Sequence, residues 1–263
     1  MINRYLKSSI AFTGLSLICF SQDVEITAHR GASGLAPENT IAAINKALDL
    51  ECDYSEIDVQ EIEDGNIILF HDTTLYRTTN IEGYVWNLNL TSSMEIDVGS
   101  WFGDEFRNEK IPTLEEVIKL VDGKMKLNIE IKINGREKLV AKNVVELVQE
   151  YSFENQCIIT SFDFGTVDQV RAIDNKIKTG YIFKNFPEDI DVFSANCEIL
   201  SVSRKIVTPE FIRTAKQNHK EVHVWTVNKP EEMKKLILMG VDNIITDRPD
   251  ILKLVINDFR QSK

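Results

Sequence analysis

From Glu25 onward, short runs of β-branched and apolar residues alternate with longer stretches whose apolar positions recur every three or four residues. Runs of the first kind suit strands buried on both faces, and stretches of the second kind suit helices lying across them. The alternation predicts parallel strands joined by crossover helices. Strands are expected at 26–29, 54–59, 127–131, 157–161, 179–183, 199–203, 221–226 and 243–246, and helices after most of them, at 38–50, 136–151, 164–173, 209–217, 230–238 and 251–259. Thr208 before Pro209 and Asn228 before Pro230 predict capped helix starts. Eight such strands predict an α/β fold of the (β/α)₈ barrel type, which usually takes about 250 residues. A chain of 263 residues, 43% of them hydrophobic, has the core for one such domain.

One stretch breaks the rhythm. Glu63-Asp64-Gly65-Asn66 reads as a hairpin turn leading into an extra strand at 67–70, and residues 73–112 form an aromatic and polar insertion containing Trp86, Trp101 and Phe102 before a helix that starts near Thr113. An insertion of this length is expected either to serve function or to form a satellite subdomain over one rim of the barrel. No internal repeat or low-complexity linker is visible.

The N-terminus differs in character. Arg4 and Lys7 precede an uncharged apolar stretch at 8–20, too short to span a bilayer alone and suited to the core of a signal peptide. Residues 1–22 are therefore expected to be a leader, or alternatively the remnant of a membrane anchor, with the folded domain at 23–263. Both readings place the domain outside the cytoplasm, periplasmic or secreted. Any membrane contact is expected through this segment or the insertion.

A formal net charge of -11 and the lack of a Lys/Arg-rich run disfavour a nucleic-acid partner. The four cysteines, Cys19, Cys52, Cys157 and Cys197, show no CxxC spacing, and the apolar neighbours of Cys157 predict a buried thiol.

Side chains two apart share a strand face, and in a barrel one face points into the closed interior. With Ile57 and Val59 on one face, Glu56 and Asp58 share the other. With Leu127, Ile129 and Ile131 toward the helices, Asn128, Glu130 and Lys132 point inward. Val222 and Val224 similarly leave His223 and Trp225 inward. Three carboxylates in one barrel mouth would repel one another and carry a desolvation cost that a divalent cation relieves. Glu56, Asp58 and Glu130 are hard oxygen ligands suited to Ca²⁺ or Mg²⁺ rather than zinc. His29 and His71, at strand ends flanking the acidic pair, supply proton transfer near neutral pH. Arg30 and Lys132 supply cations for a phosphate. His219 and His223 are read as structural. The constellation points to phosphoryl chemistry.

Several motifs then fall in register. His29-Arg30-Gly31 with Ala36-Pro37-Glu38-Asn39-Thr40, Glu56-Ile57-Asp58-Val59, His71-Asp72, Arg77-Thr78-Thr79, Ile111-Pro112-Thr113-Leu114-Glu115-Glu116, Asn128-Ile129-Glu130-Ile131-Lys132, Trp225-Thr226-Val227-Asn228 and Ile245-Thr246-Asp247-Arg248-Pro249 together resemble the glycerophosphodiester phosphodiesterase family, from about Thr27 to the last helix. The resemblance implies a TIM barrel with an insertion after the second strand, hydrolysing glycerophosphodiesters to glycerol 3-phosphate and an alcohol with a divalent cation. It implies His29 and His71 as the acid/base pair, Arg30 on the phosphate, and Glu56, Asp58 and Glu130 on the metal. Lys132 would stabilise phosphate charge, and Trp225 would wall the glycerol. The run Glu61-Ile62-Glu63 departs from the family's usual wording there, which touches the hairpin rather than a ligand. Two readings compete: a related barrel phospholipase acting on intact phosphatidylinositol- or sphingomyelin-type lipid, and a non-catalytic binding module.

Overall fold

The computed structural model describes residues 24–261. The leader read at 1–22 lies outside the described residues. Eight parallel strands close into a barrel with helices between them, as in a TIM barrel. They are β1 (Glu25–Ala28), β2 (Tyr54–Glu61), β4 (Lys126–Ile131), β5 (Cys157–Ser161), β6 (Lys178–Phe183), β7 (Ile199–Ser203), β8 (Glu221–Trp225) and β9 (Asn243–Thr246). β3 (Ile67–Leu69) pairs antiparallel with β2 through the hairpin turn, outside the ring. The ring closes where β1 meets β2, at Thr27 opposite Tyr54 and Ala28 opposite Ser55.

The helices are α1 (Ile41–Asp49), α2 (Tyr76–Thr79), α3 (Leu90–Ser93), α4 (Leu114–Val121), α5 (Val140–Glu150), α6 (Phe164–Ile173), α7 (Pro209–Gln217), α8 (Pro230–Met239) and α9 (Pro249–Gln261). Local chemistry sets several of their ends. The Thr40 hydroxyl accepts from the Ala43 N–H, so α1 starts three residues later than the amphipathic pattern suggested. Thr113 and Glu116 form a reciprocal capping box that starts α4. Thr208 caps α7 ahead of Pro209, whose fixed φ suits a first turn. The expected cap at Asn228 is not made: Lys229 holds the capping position of α8 without a side-chain bond. Asn228 is instead drawn to the barrel mouth, donating to Asp247 at 2.5 Å and accepting from Thr246 at 3.0 Å. Among the described residues, no helix connects β6 to β7.

The strand faces divide as alternation requires. Ile57, Val59, Leu127, Ile129 and Ile131 are at most 1% exposed and pack under the helices in the main core. Inside the ring, Tyr54, Ile158 and Ile199 form a small apolar plug below the site. His223 is also enclosed in the ring, with Glu221 3.8 Å away. Cys157 is buried, and burial pushes its thiol up to about 12. Between β3 and α4 the chain forms α2, α3 and two short 3-10 turns around a second apolar core that includes Ile68, Phe70, Val85 and Ile111. No helix among the described residues is long and apolar enough to cross a membrane.

Candidate active site

Strand register assembles the site. β2 pairs with β4 so that Asp58 lies opposite Glu130, one step above Glu56 opposite Asn128. Oxygens of Glu56, Asp58 and Glu130 come within 4.8 Å of one another at the barrel mouth. The ladder between β1 and β9 continues one residue beyond the strands, the His29 N–H donating to the Thr246 carbonyl at 2.9 Å. The chain then turns through left-handed conformations at Arg30 (φ 52°) and Gly31 (φ 77°). This turn aims the Arg30 N–H at Glu56 Oε2, 2.7 Å away. A β-carbon at Gly31 would lie 2.6 Å from that of Ala43, so the close approach to α1 admits only glycine.

The two histidines are each held by a carboxylate. His29 Nδ1 donates to Asp247 Oδ1 at 2.6 Å, and His71 Nδ1 donates to Asp72 Oδ1 at 2.5 Å. Both Nδ1 atoms being engaged, the Nε2 atoms are the ones free to exchange protons. Asp247 also accepts from Ser33 and Asn228, and Asp72 also accepts from Arg77 Nε at 2.5 Å. Arg77 further donates to Glu38 at 2.7 and 2.8 Å, and Glu38 accepts from Arg30 at 2.8 Å. The cations Arg30 and Lys132 converge on the acids, with Arg30 Nε 3.3 Å and Lys132 Nζ 3.4 Å from Asp58, and Lys132 Nζ 2.6 Å from Glu130. Asn39, itself at φ 56°, clamps Asp58 twice, donating to its carboxylate at 2.8 Å and accepting from its N–H at 3.1 Å.

Electrostatics separate the three acids. Burial raises the Glu56 carboxyl, and the nearby Asp58 charge adds to this, pushing it up to about 8. Burial would raise Asp58 too, yet Lys132, Arg30 and His71 outweigh it and hold that group down at about 2. Glu130 is raised by burial and Asp58, against the pull of Lys132. The histidines also diverge. For His29 the cost of burial is overcome by Asp247 and Glu56, which raise it, whereas burial together with Lys132 and Arg30 lowers His71.

The donor set fits a divalent cation. Glu56 Oε1 is buried without a hydrogen-bond partner, and burial together with the charges of Asp58 and Glu130 disfavours its carboxylate more than His29 and Arg30 favour it. Three carboxylates and no thiol or imidazole in the cluster suit a hard ion.

The acids, the histidines and the cations open on one cavity of about 420 Å³, whose wall also includes Asn128, Phe162, Ile182, Lys184 and Trp225. All the residues singled out from sequence meet here: His29, Arg30, Glu56, His71, Glu130, Lys132 and Trp225 line the cavity, and Asp58 lies directly behind its acidic wall. Sequence reasoning assigned no role to Asp72, Asp247, Glu38, Arg77 or Asn39. A polar residue at the end of a strand, as at Asp247 after β9, was the available signal.

The sequence profile of the glycerophosphoryl diester phosphodiesterase family matches residues 29–251, which takes in every one of these positions. The chain belongs to this family. Among relatives of this phosphodiesterase family, the glycerophosphodiester phosphodiesterase of Caldanaerobacter subterraneus is 36% identical over 232 residues, covering 86% of this chain and 95% of its own. Among solved structures, the Oleispira antarctica phosphodiesterase, crystallised in complex with its product sn-glycerol-3-phosphate, superposes with a TM-score of 0.80 at 28% identity, covering 89% of this chain and 96% of its own. The glycerophosphodiester phosphodiesterase of Agrobacterium tumefaciens gives a TM-score of 0.77 at 28% identity, covering 87% of this chain and 98% of its own.

Proposed function

We propose that this family member hydrolyses glycerophosphodiesters to glycerol 3-phosphate and an alcohol, with Ca²⁺ or Mg²⁺ held by Glu56, Asp58 and Glu130. The observation that carries the reading is the convergence, in one cavity, of two carboxylate-held imidazoles and two cations on a buried acidic cluster. When bound, the ion would supply Lewis-acid polarisation of a phosphate oxygen and offset the charge of the three acids.

The remaining work falls to the chain's own groups. Arg30 and Lys132 orient the phosphate and stabilise the charge it gains in the transition state, a role in which fixed donors contribute more than mobile water. His29 and His71 exchange protons at Nε2, one with the attacking hydroxyl or water and the other with the departing alkoxide. Asp247 and Asp72 keep each imidazole in the tautomer that this requires. Trp225 offers an apolar wall to the glycerol carbons.

A coupled glycerol 3-phosphate assay across a panel of glycerophosphodiesters, with and without EDTA, tests the reading. Release that depends on divalent cation supports it, and no release from any diester refutes it. A second reading, hydrolysis of intact phospholipid, draws support from Tyr76, Ile81, Tyr84 and Met94, which the insertion leaves exposed. Release of head group from vesicles in preference to soluble diesters would decide for it. The charged and apolar pattern of residues 1–22, read as a leader or the remnant of a membrane anchor, supports action outside the cytoplasm, which N-terminal sequencing of exported protein would check.

A further inference from the structure

The ring order puts β6 four strands from β1 in either direction, so the end of β6 faces His29 and Arg30 across the barrel mouth. The acids, the histidines and Arg30 occupy the side built by β1, β2 and β4. The opposite wall of the cavity is of different character. Phe162, Ile182, Lys184, Ser201 and Trp225 line it, and no carboxylate does. With the glycerol carbons against Trp225, a diester whose phosphorus sits over the acidic cluster is left with the Phe162, Ile182 and Lys184 part of this wall for its other arm.

Lys184 stands out there. It is exposed, it lines the cavity, and it forms no ion pair with any described carboxylate. The two other cations at the mouth, Arg30 and Lys132, are both committed to acids. The Lys184 ammonium lies 5.7 Å from the centroid of the Phe162 ring. The Lys132 ammonium lies 5.7 Å from the same centroid. Phe162 is 42% exposed and meets Trp225 edge-on, with centroids 5.6 Å apart and planes at 75°.

An exposed aromatic ring at a cavity wall is a usual receptor for a quaternary or primary ammonium, which is attracted to the ring's negative face. Here two ammonium groups already lie 5.7 Å from the Phe162 centroid, and a third cation would be repelled at a separation comparable to the ring contacts themselves. Hydroxyl or carboxylate oxygens, in contrast, would find a free donor in Lys184.

We propose that Lys184, acting with Phe162, selects the group esterified to glycerol phosphate by its charge, favouring polyol and anionic head groups and disfavouring cationic ones. This rests on the phosphodiesterase reading above, and it names the substrate class of the same site. Lys184 is a specificity-determining residue with no part in the proton transfers.

The test compares kcat/KM for four soluble diesters, those of glycerol, inositol, choline and ethanolamine with glycerol phosphate, on the full chain with saturating Mg²⁺ or Ca²⁺. The wild-type enzyme is expected to prefer the inositol and glycerol diesters over the choline diester on the order of tenfold, and less so as salt is raised. Lys184→Glu should raise the choline diester relative to the inositol diester by on the order of a hundredfold, through removal of one repulsive charge and addition of an attractive one. Lys184→Arg should keep the wild-type order. Because the side chain is exposed, a general loss of folding would lower all four substrates together and leave the ratios intact, which is how a structural effect would show itself. A wild-type preference for the choline diester, or ratios indifferent to Lys184→Glu, would overturn the proposal while the phosphodiesterase reading stands. Absence of turnover on every diester would overturn both.

Discussion

Replacing Asp247 by asparagine tests the proposed role of His29 with almost no change of shape. Asp247 accepts from three donors: His29 Nδ1 at 2.6 Å, Ser33 Oγ at 3.0 Å and Asn228 Nδ2 at 2.5 Å. The first two converge on Oδ1 and the third on Oδ2. An asparagine has one acceptor oxygen, so its NH₂ must face either the imidazole or the Asn228 amide. Asn228 cannot flip to suit it without cost, because its own oxygen already accepts from Thr246 Oγ1 and from the N–H of residue 247, each at 3.0 Å. With the NH₂ toward His29, the imidazole proton moves to Nε2, and the atom facing the site loses its basicity. Loss of the orienting carboxylate in comparable histidine pairs costs up to about 10⁴ in rate. His29 is partly open to solvent, so a fall in kcat of about 10² to 10⁴ is expected, or about 3 to 5 kcal/mol of barrier. Initial rates of glycerol 3-phosphate release at saturating cation would give kcat and KM separately, and KM should move little. Urea unfolding of the variant would establish that it is folded. A folded Asp247→Asn enzyme whose kcat stays within about fivefold of wild type would refute the role given to this pair.

Other expectations follow from the same geometry. Removal of divalent cation with EDTA should abolish activity, and re-addition should restore it; Glu56→Gln should weaken cation binding, read by calorimetry, because it replaces one of three carboxylates by a neutral amide. Gly31→Ala should destabilise the fold by about 2 kcal/mol or more, since it adds a β-carbon 2.6 Å from that of Ala43 at a φ of 77°; unchanged urea midpoints would contradict this. At the barrel floor, His223, with help from Lys178, holds Glu221 down at about 2 against the opposing effect of burial. A depressed carboxyl contributes stability above its unfolded value near 4.5 and loses it as pH falls toward 2. The melting temperature of wild type should therefore exceed that of Glu221→Gln at pH 7 and converge with it by about pH 2 to 3; a gap that widens on acidification would show the assignment wrong.

Strand alternation carried most of the site. Glu56 and Asp58 declared themselves because Ile57 and Val59 claimed the helix-facing side, and the same logic placed Glu130 and Lys132 on the next strand. A period of two is a local property, so it can be read without knowing the fold. What could not be read was the partnership between residues whose proximity depends on how the ring closes. Asp247 follows a strand end in the sequence just as Asp72 does, yet nothing local says that it meets His29 across the β1–β9 edge. Arg77 and Glu38 meet across 39 positions, through a hairpin and a short helix whose packing is tertiary. Asn228 illustrates the opposite error: its spacing to Pro230 looked like a helix cap, but its side chain found better partners at the barrel mouth. The separate charge states of the three acids were also hidden, because they depend on which cation each one meets at close range.

The bond between His29 and Asp247 joins residues 218 positions apart. At ribosomal speeds of about 5 to 20 residues per second, roughly 10 to 40 seconds separate the synthesis of the two. A nascent chain lacking its last strand can carry the acidic residues of β2 and β4 but has no Asp247 to hold the first histidine. On the proposed role of His29, chemical competence arrives as the final act of assembly, and turnover itself becomes a reporter of ring closure: truncated chains would be inert toward phosphodiesters.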